Sequence, residues 1–137
     1  MRYMIIVKGD ERVESGAMPR ESEIQAMADY HEALEQAGVL VGASGLQPTA
    51  RGFRVRYQND KRVVMDGPFA ETKELIAGYT IINVSSHEEA VEWARRFPNP
   101  KGEGIPCEIE VRLMFELEDF EQTEAIDRMR RINVGNS

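Results

Sequence analysis

The chain has 137 residues, of which 42% are hydrophobic and 30% charged, and this is the size and composition of one globular domain rather than of a disordered segment. A formal net charge of −7 repels phosphate backbones and anionic lipids, so neither nucleic acid nor a membrane surface is expected as a partner. The first apolar run ends at Lys8, too early for a signal peptide or a membrane span, which predicts a cytoplasmic protein.

The first half of the chain alternates strand and helix patterns. Residues 3–8 are rich in β-formers and predict a strand. A helix is predicted from Pro19 to Gly38, where Ser22 and Gln25 have the spacing of a capping box. Residues 38–48 fit a short strand or an extended connection. Apolar and polar residues then alternate over 53–58, and after a two-residue turn a second apolar run follows, which predicts a hairpin.

The second half repeats the pattern of strand, helix and strand. A strand is predicted over residues 79–84, followed by a helix that Ser86 and Glu89 cap and Pro98 ends. Alternation over residues 107–115 predicts a long half-buried strand.

The end of the chain differs in character from the rest. The charged segment 116–131 predicts a weakly amphipathic helix before a frayed end at 133–137, so residues 1–115 are expected to form the domain and 116–137 a C-terminal helical extension. Cys107, the only cysteine, forms no intramolecular disulfide and is expected to pack.

This order of elements predicts an α+β fold with a ferredoxin-like antiparallel sheet and two helices on one face. The opposite sheet face has no cover within the chain. A second copy of the sheet is the simplest cover, so a homodimer with sheet packed on sheet is expected.

The densest cluster of chemically useful residues lies between two predicted strands. Gly67 permits backbone angles that other residues avoid, and a positive φ is expected there, while Pro68 fixes its own φ. The loop would bring Asp66, Glu71 and Lys73 together as a binding site. The alternative is a strand-ending turn with solvated charges.

The segment Asp-Gly-Pro-Phe-Ala-Glu-Thr-Lys-Glu at 66–74, followed by Gly78-Tyr79, resembles the hallmark of the DGPF branch of the YCII-related family. Agreement extends over about residues 1–115, through Tyr3-Met4, 37–40, 45–48, Glu89-Ala90, Trp93-Ala94 and 110–112. The resemblance implies a dimeric α/β barrel in which two sheets enclose a cavity. Relatives in that superfamily include lyases, isomerases, dehalogenases and monooxygenases that mostly work without metals. Met27 stands where shorter members of the family carry a histidine.

Three further residues are candidates for chemistry. His31 lies on the apolar stripe of the first helix, where it is either a general base or a packing residue. Glu110 and Arg112 should point away from the helices, because Ile109 and Val111 must face them. Arg112 would anchor an anion and Glu110 accept a proton, or the two form a structural ion pair.

Three functions follow as hypotheses. The first is a dimeric small-molecule binding protein, with Gly67, Pro68, Phe69, Lys73, Glu110 and Arg112 in the ligand site. The second is an enzyme without cofactor or metal that acts by general acid–base chemistry on a small anionic or carbonyl-bearing metabolite, with Asp66, Glu71 or His31 as the proton carrier. The third is a protein-interaction module that uses an exposed stripe of Phe120, Ile126 and Met129. Two distant histidines and one cysteine lack the spacing of a metal site.

Overall fold

The computed structural model describes residues 1–135, which fold into one four-stranded sheet, one separate hairpin and four α-helices. In chain order the elements are β1 (Arg2–Lys8), α1 (Glu11–Glu14), α2 (Glu21–Gln36), β2 (Leu40–Gly45), β3 (Phe53–Gln58), β4 (Lys61–Asp66), β5 (Ile76–Asn83), α3 (His87–Arg95), β6 (Ile109–Leu113) and α4 (Glu124–Arg131). None of these helices has both the length and the apolar composition that crossing a membrane requires.

The main sheet has the strand order β2-β5-β1-β6 with every neighbouring pair antiparallel. This is the ferredoxin-like order, so the predicted fold class is confirmed. Ile5 on the central strand and Ile82 on β5 are fully buried, and they form one core with Leu34 of α2 and Ala90 of α3. Both helices therefore cover the same face of the sheet.

The other face of the sheet carries the predicted pair on β6. Ile109 and Val111 pack against the core on the helix side of the sheet. Glu110 and Arg112 alternate with them along β6 and point to the opposite side, next to Ile6 and Met4 of β1. The parity argument for β6 is confirmed. Whether a second sheet covers this open face remains a prediction.

The β3–β4 hairpin forms a sheet of its own and shares no ladder with the main sheet. Its two-residue turn, Asn59-Asp60, has positive φ angles of 50° and 62°, which suits the right-handed twist of the flanking strands. The predicted hairpin is confirmed.

Two local predictions were wrong. The residue that caps α2 is Arg20, without a side-chain capping bond, because Ser22 already lies inside the first turn. The last strand begins only at Ile109, so Cys107 lies in the preceding loop, directly after a proline, and is exposed rather than packed. The Ser86 cap of α3 is confirmed, since its hydroxyl accepts a hydrogen bond from the Glu89 backbone N–H at 3.1 Å.

The C-terminal extension is tied to the first strand. Arg2 is only 4% exposed; its guanidinium donates to the Glu116 carboxylate at 2.9 Å and to the Gly135 carbonyl at 2.7 Å. One of these bonds reaches Gly135, and the frayed end expected at residues 133–137 stays a prediction. Residues 136 and 137 of that prediction lie outside the described residues.

Candidate functional site

A cavity of about 690 Å³ lies between α2 and the sheet, and we call it the helix-side pocket. Its floor is the β2–β5 ladder, where Gly45 is paired with Gly78 and Ala43 with Thr80. These small residues leave the space open, because no long side chain rises from the floor. Met27 and other residues of α2 form the opposite wall. The pocket is thus a product of small residues on the sheet beneath a helix.

His31 is the titratable side chain that this pocket holds most firmly. Its Nδ1 lies 2.7 Å from the carbonyl oxygen of Met27, one turn earlier in α2, and its Nε2 lies 2.8 Å from the hydroxyl of Thr80 on β5. Since a carbonyl only accepts, Nδ1 carries the proton in the neutral ring. Nε2 is then the acceptor, and the Thr80 hydroxyl donates to it.

The same two partners also accommodate the protonated ring. An imidazolium donates from both nitrogens, and both the carbonyl oxygen of Met27 and the hydroxyl oxygen of Thr80 accept. The ring therefore gains or loses a proton at Nε2 without moving, provided that the Thr80 hydroxyl rotates. Such a fixed and reversible proton acceptor is what general acid–base catalysis needs.

Tyr30 supports this ring from the core side. Its ring meets His31 edge to face with centroids 5.5 Å apart, and its hydroxyl donates to the Trp93 carbonyl at 2.8 Å. Burial raises the pKa of Tyr30 to about 12, so the phenol stays neutral. The wall behind His31 is rigid, and its charge does not change near neutral pH.

The raised pKa of Tyr30 predicts a loss of stability in alkali. The folded-state pKa of Tyr30 lies above the ordinary value of 10. The contribution of Tyr30 to the free energy of unfolding is therefore complete below pH 10 and is lost as the pH rises through about 12. We expect the difference in unfolding free energy between the wild type and Tyr30→Phe to shrink by on the order of 2 kcal/mol over that interval. Urea unfolding of both proteins at the two ends of the interval measures it. A constant difference would contradict this assignment.

The rim of the pocket is charged. Glu23 accepts a hydrogen bond from Arg20 at 2.8 Å and lies 3.0 Å from the Arg12 guanidinium. The hydrogen bond from Arg20, aided by Arg12, lowers the pKa of Glu23. Arg12 and Glu23 line the pocket together with the carboxylates of Asp10 and Glu103, so the charged groups of the rim are of both signs.

The Asp-Gly-Pro-Phe loop lies outside the helix-side pocket and fixes the hairpin to the body of the domain. A Cβ at Gly67 would lie 1.8 Å from the Thr49 carbonyl oxygen. The Phe69 backbone N–H donates to the Thr49 hydroxyl at 3.0 Å, and that hydroxyl donates to Glu14 at 2.5 Å. The expectation of a positive φ at Gly67 is wrong. Glycine is required there by the close approach of Thr49.

The other predicted site residues are spread over two places. Asp66, Pro68 and Glu71 are exposed and line neither the helix-side pocket nor a second, open cavity of about 710 Å³. Lys73 and Glu110 both line that second cavity.

Glu110 also takes part in ion pairs on the open face. It accepts a hydrogen bond from Lys8 at 2.9 Å, which lowers its pKa, and lies 3.7 Å from Arg112. The Arg112 side chain is 73% exposed. Of the predicted site residues, His31 is the one that lines the helix-side pocket.

Sequence reasoning missed Thr80 and Arg12. Thr80 shares a strand face with Gly78 and Ile82. A hydroxyl-bearing residue on a buried strand face was the feature that could have marked Thr80 as a candidate site residue. Arg12 had no such signal, since only the folded chain brings α1 beside α2.

His87 is exposed at the start of α3, as expected of a first-turn residue. Within residues 1–135, no group of three or more metal-binding side chains is placed to hold an ion.

Comparison with known proteins gives three findings. The family model described as the YCII-related domain matches residues 1–116. The chain is 35% identical over 102 residues to an uncharacterized protein of Rhizobium meliloti (strain 1021), and the match covers 72% of this chain and 82% of that protein. A solved structure of 5-chloro-2-hydroxyhydroquinone dehydrochlorinase from Burkholderia phenoliruptrix AC1100, in complex with 2,5-dihydroxybenzoquinone, is similar with a TM-score of 0.48 and 14% identity, over 88% of this chain and 100% of that one.

Proposed function

The chain belongs to the family of YCII-related domains, and from this premise we propose that it binds a small metabolite in the helix-side pocket and exchanges a proton with it through His31. The ligand is mainly apolar and carries an anionic or carbonyl group. The protein acts as a homodimer. Of Asp66, Glu71 and His31, the proton carriers that the sequence suggested for an enzyme, His31 is retained because it lines the helix-side pocket and the other two do not.

The hydrogen-bonded pair of His31 and Thr80 is the observation that carries this proposal. A partly buried imidazole needs partners for both nitrogens in any role, so it is the open cavity beside the hydrogen-bonded ring that favours proton transfer over packing. In the proposed reaction a ligand O–H or an acidified C–H gives its proton to the Thr80 oxygen while the Thr80 hydroxyl proton passes to Nε2 of His31. The imidazolium then returns its proton to the Thr80 oxygen, whose other proton passes to another atom of the ligand, as in an isomerisation or an elimination.

The rim and the walls set the ligand class. The apolar walls favour a carbon skeleton, and Arg12, the guanidinium among the lining residues, is the group that would receive a carboxylate, enolate or phenolate at the outer end. A ligand of this type would place its charged end toward solvent and its reactive carbon toward His31.

A second candidate site is the open cavity lined by Lys73 and Glu110. It supports the earlier hypothesis of a ligand site beside the Asp-Gly-Pro-Phe loop, with Arg112 next to Glu110 as an anion anchor. It is the weaker candidate because Glu110 already pairs with Lys8. The third hypothesis, an interaction module at the C-terminal extension, is supported by the exposure of Phe120 and Met129.

Filling the pocket tests the proposal. Ala26 lines the pocket from α2, and Ala26→Leu adds three carbon atoms inside it. A thermal-shift screen of small phenols and oxo acids supplies the ligands. We expect Ala26→Leu to weaken their binding at least tenfold, because the leucine side chain occupies part of the pocket that the ligand would fill. Binding is measured by calorimetry.

Ala28→Leu is the matched control. Ala28 lies two residues further along the same helix, is exposed and does not line the pocket. The same change in composition and helix propensity should therefore leave affinity within about twofold. Equal affinities for both variants, with ligand still bound, would move the site away from the helix-side pocket.

A further inference from the structure

Helix α1 forms part of the wall of the helix-side pocket, although no buried side chain holds it in place. The helix consists of the four residues Glu11–Glu14, and none of them is buried. One turn of helix is not stable by itself in water, because nucleation costs more than a single turn returns. The N-cap residue Asp10 and the second helical residue Arg12 both line the pocket. The position of this wall therefore depends on the polar contacts that α1 makes with other segments.

The shortest of these contacts joins α1 to Thr49. Both carboxylate oxygens of Glu14 are bound by this one residue: Oε1 accepts from the Thr49 backbone N–H at 3.1 Å, and Oε2 accepts from the Thr49 hydroxyl at 2.5 Å. On the pocket side, the Arg12 guanidinium lies 3.0 Å from Glu23 of α2. Residues two apart in a helix point to different sides of it. The contact with Thr49 thus fixes the backbone from which Arg12 extends toward the pocket.

Thr49 is itself held by the Asp-Gly-Pro-Phe loop. The Phe69 backbone N–H donates to the Thr49 hydroxyl at 3.0 Å, which directs the single hydroxyl proton to Glu14. The Thr49 carbonyl lies so close to Gly67 that a Cβ there would approach its oxygen to 1.8 Å. Neither Thr49 nor Glu14 lines either of the two cavities described above. The loop is therefore connected to the wall of the helix-side pocket through residues that do not contact its interior.

We propose that Thr49 is a positioning residue of the helix-side pocket: held by the Asp-Gly-Pro-Phe loop, it fixes α1 so that the Arg12 guanidinium receives the anionic group of the ligand. The inference rests on the proposed function and deepens it, because it names a residue that sets the preference for anions. Arg12 acts on the ligand directly, and Thr49 acts through α1.

The charges of the rim make the placement of Arg12 important. The other charged groups that line the pocket are the carboxylates of Asp10, Glu23 and Glu103, so an anion binds only where the guanidinium is placed to meet it. The ion pair between Arg12 and Glu23 is made through Nη1, which limits the rotation of the guanidinium. Its other N–H groups are the donors for a ligand carboxylate. A displaced α1 would lose this geometry, while the apolar walls would remain.

The preference for a carboxylate over a neutral group tests this role. The probes are benzoate and benzamide, which are similar in size and differ in charge, and their dissociation constants are measured by NMR titration. We expect the wild type to bind benzoate more tightly. Thr49→Val keeps the shape of the side chain and removes the hydroxyl, so it should weaken benzoate binding by about fivefold or more and benzamide binding by less than about twofold. A general loss of structure would weaken both probes alike.

Two threonine variants are the controls. Thr49→Ser keeps the hydroxyl and should keep the affinity for benzoate within about twofold of that of the wild type. Thr72→Val makes the same change at a half-buried threonine whose hydroxyl has no hydrogen-bond partner among residues 1–135. It should leave both dissociation constants unchanged.

Two further variants test the route through α1. Arg12→Gln should cause the same loss of benzoate binding as Thr49→Val, and the double variant should show no greater loss, because both changes remove one interaction. Glu14→Gln weakens the contact with Thr49 from the side of α1 and should also weaken benzoate binding selectively. This variant takes the place of Thr49→Val if the latter does not fold.

The results that would overturn the inference are distinct from those that would overturn the proposed function. If Ala26→Leu weakens benzoate binding but Thr49→Val leaves the ratio of the two dissociation constants unchanged, the pocket stands and Thr49 has no positioning role. The same conclusion follows if the losses from Arg12→Gln and Thr49→Val add. If Ala26→Leu leaves benzoate binding unchanged, or the wild type binds neither probe, the pocket does not take this class of ligand and both proposals fail.

Discussion

Replacing Gly67 with alanine is expected to lower the free energy of unfolding by about 3 kcal/mol or more, the largest effect on stability that we anticipate for a single methyl group in this protein. The new Cβ would lie 1.8 Å from the carbonyl oxygen of Thr49 and 2.6 Å from its carbonyl carbon, and backbone atoms cannot turn aside as a side chain can. Relief requires the hairpin base to separate from the 49–52 turn. The hydrogen bonds that join Phe69, Thr49 and Glu14 would then break together.

Gly42→Ala is the control for this substitution. Gly42 lies in β2, and a Cβ there meets nothing within 4 Å, so alanine should change stability by less than about 1 kcal/mol. Denaturant unfolding of the two variants measures the difference. Equal midpoints would show that the loop moves freely and that the approach of Thr49 to Gly67 does not fix the base of the hairpin.

Replacing His31 with glutamine is expected to reduce turnover of any substrate identified by the pocket screen by roughly 10²–10⁴-fold, the usual contribution of a general acid–base group. Glutamine keeps a polar group near Thr80 but does not reversibly take up a proton. Ligand affinity should fall much less than turnover, because the apolar walls remain. A loss of binding with no separate effect on turnover would reduce His31 to a positioning role.

The second histidine of the chain is the control. His87→Gln alters an exposed residue at the start of α3 and should leave turnover unchanged. Imidazole signals in NMR spectra give a readout that does not depend on activity. Addition of a pocket ligand should shift the His31 ring signals, with Nε2 as the acceptor in the free protein, and leave those of His87 in place. Shifts at His87 alone would place the ligand elsewhere.

The sheet and its two covering helices were predictable because they depend on local patterns. Alternation on β6 set Ile109 and Val111 toward the helices and Glu110 and Arg112 away from them, and the fold agrees. The hairpin followed equally from its alternation and its two-residue turn. The α2 boundary and the extent of β6 were less accurate, since capping and pairing depend on neighbouring segments.

The sequence by itself determined the fold class, the strand faces, the charge balance and His31 as a residue worth testing, because each is encoded within a few neighbouring positions. Tertiary structure alone decided which of the candidate groups share a cavity. It brought Thr80 from β5 to His31 on α2, across 49 positions of sequence. It also placed Thr49 against Gly67, so that the Asp-Gly-Pro-Phe loop fixes the hairpin. Contacts of this kind depend on packing between distant segments, which leaves no periodic trace in the chain.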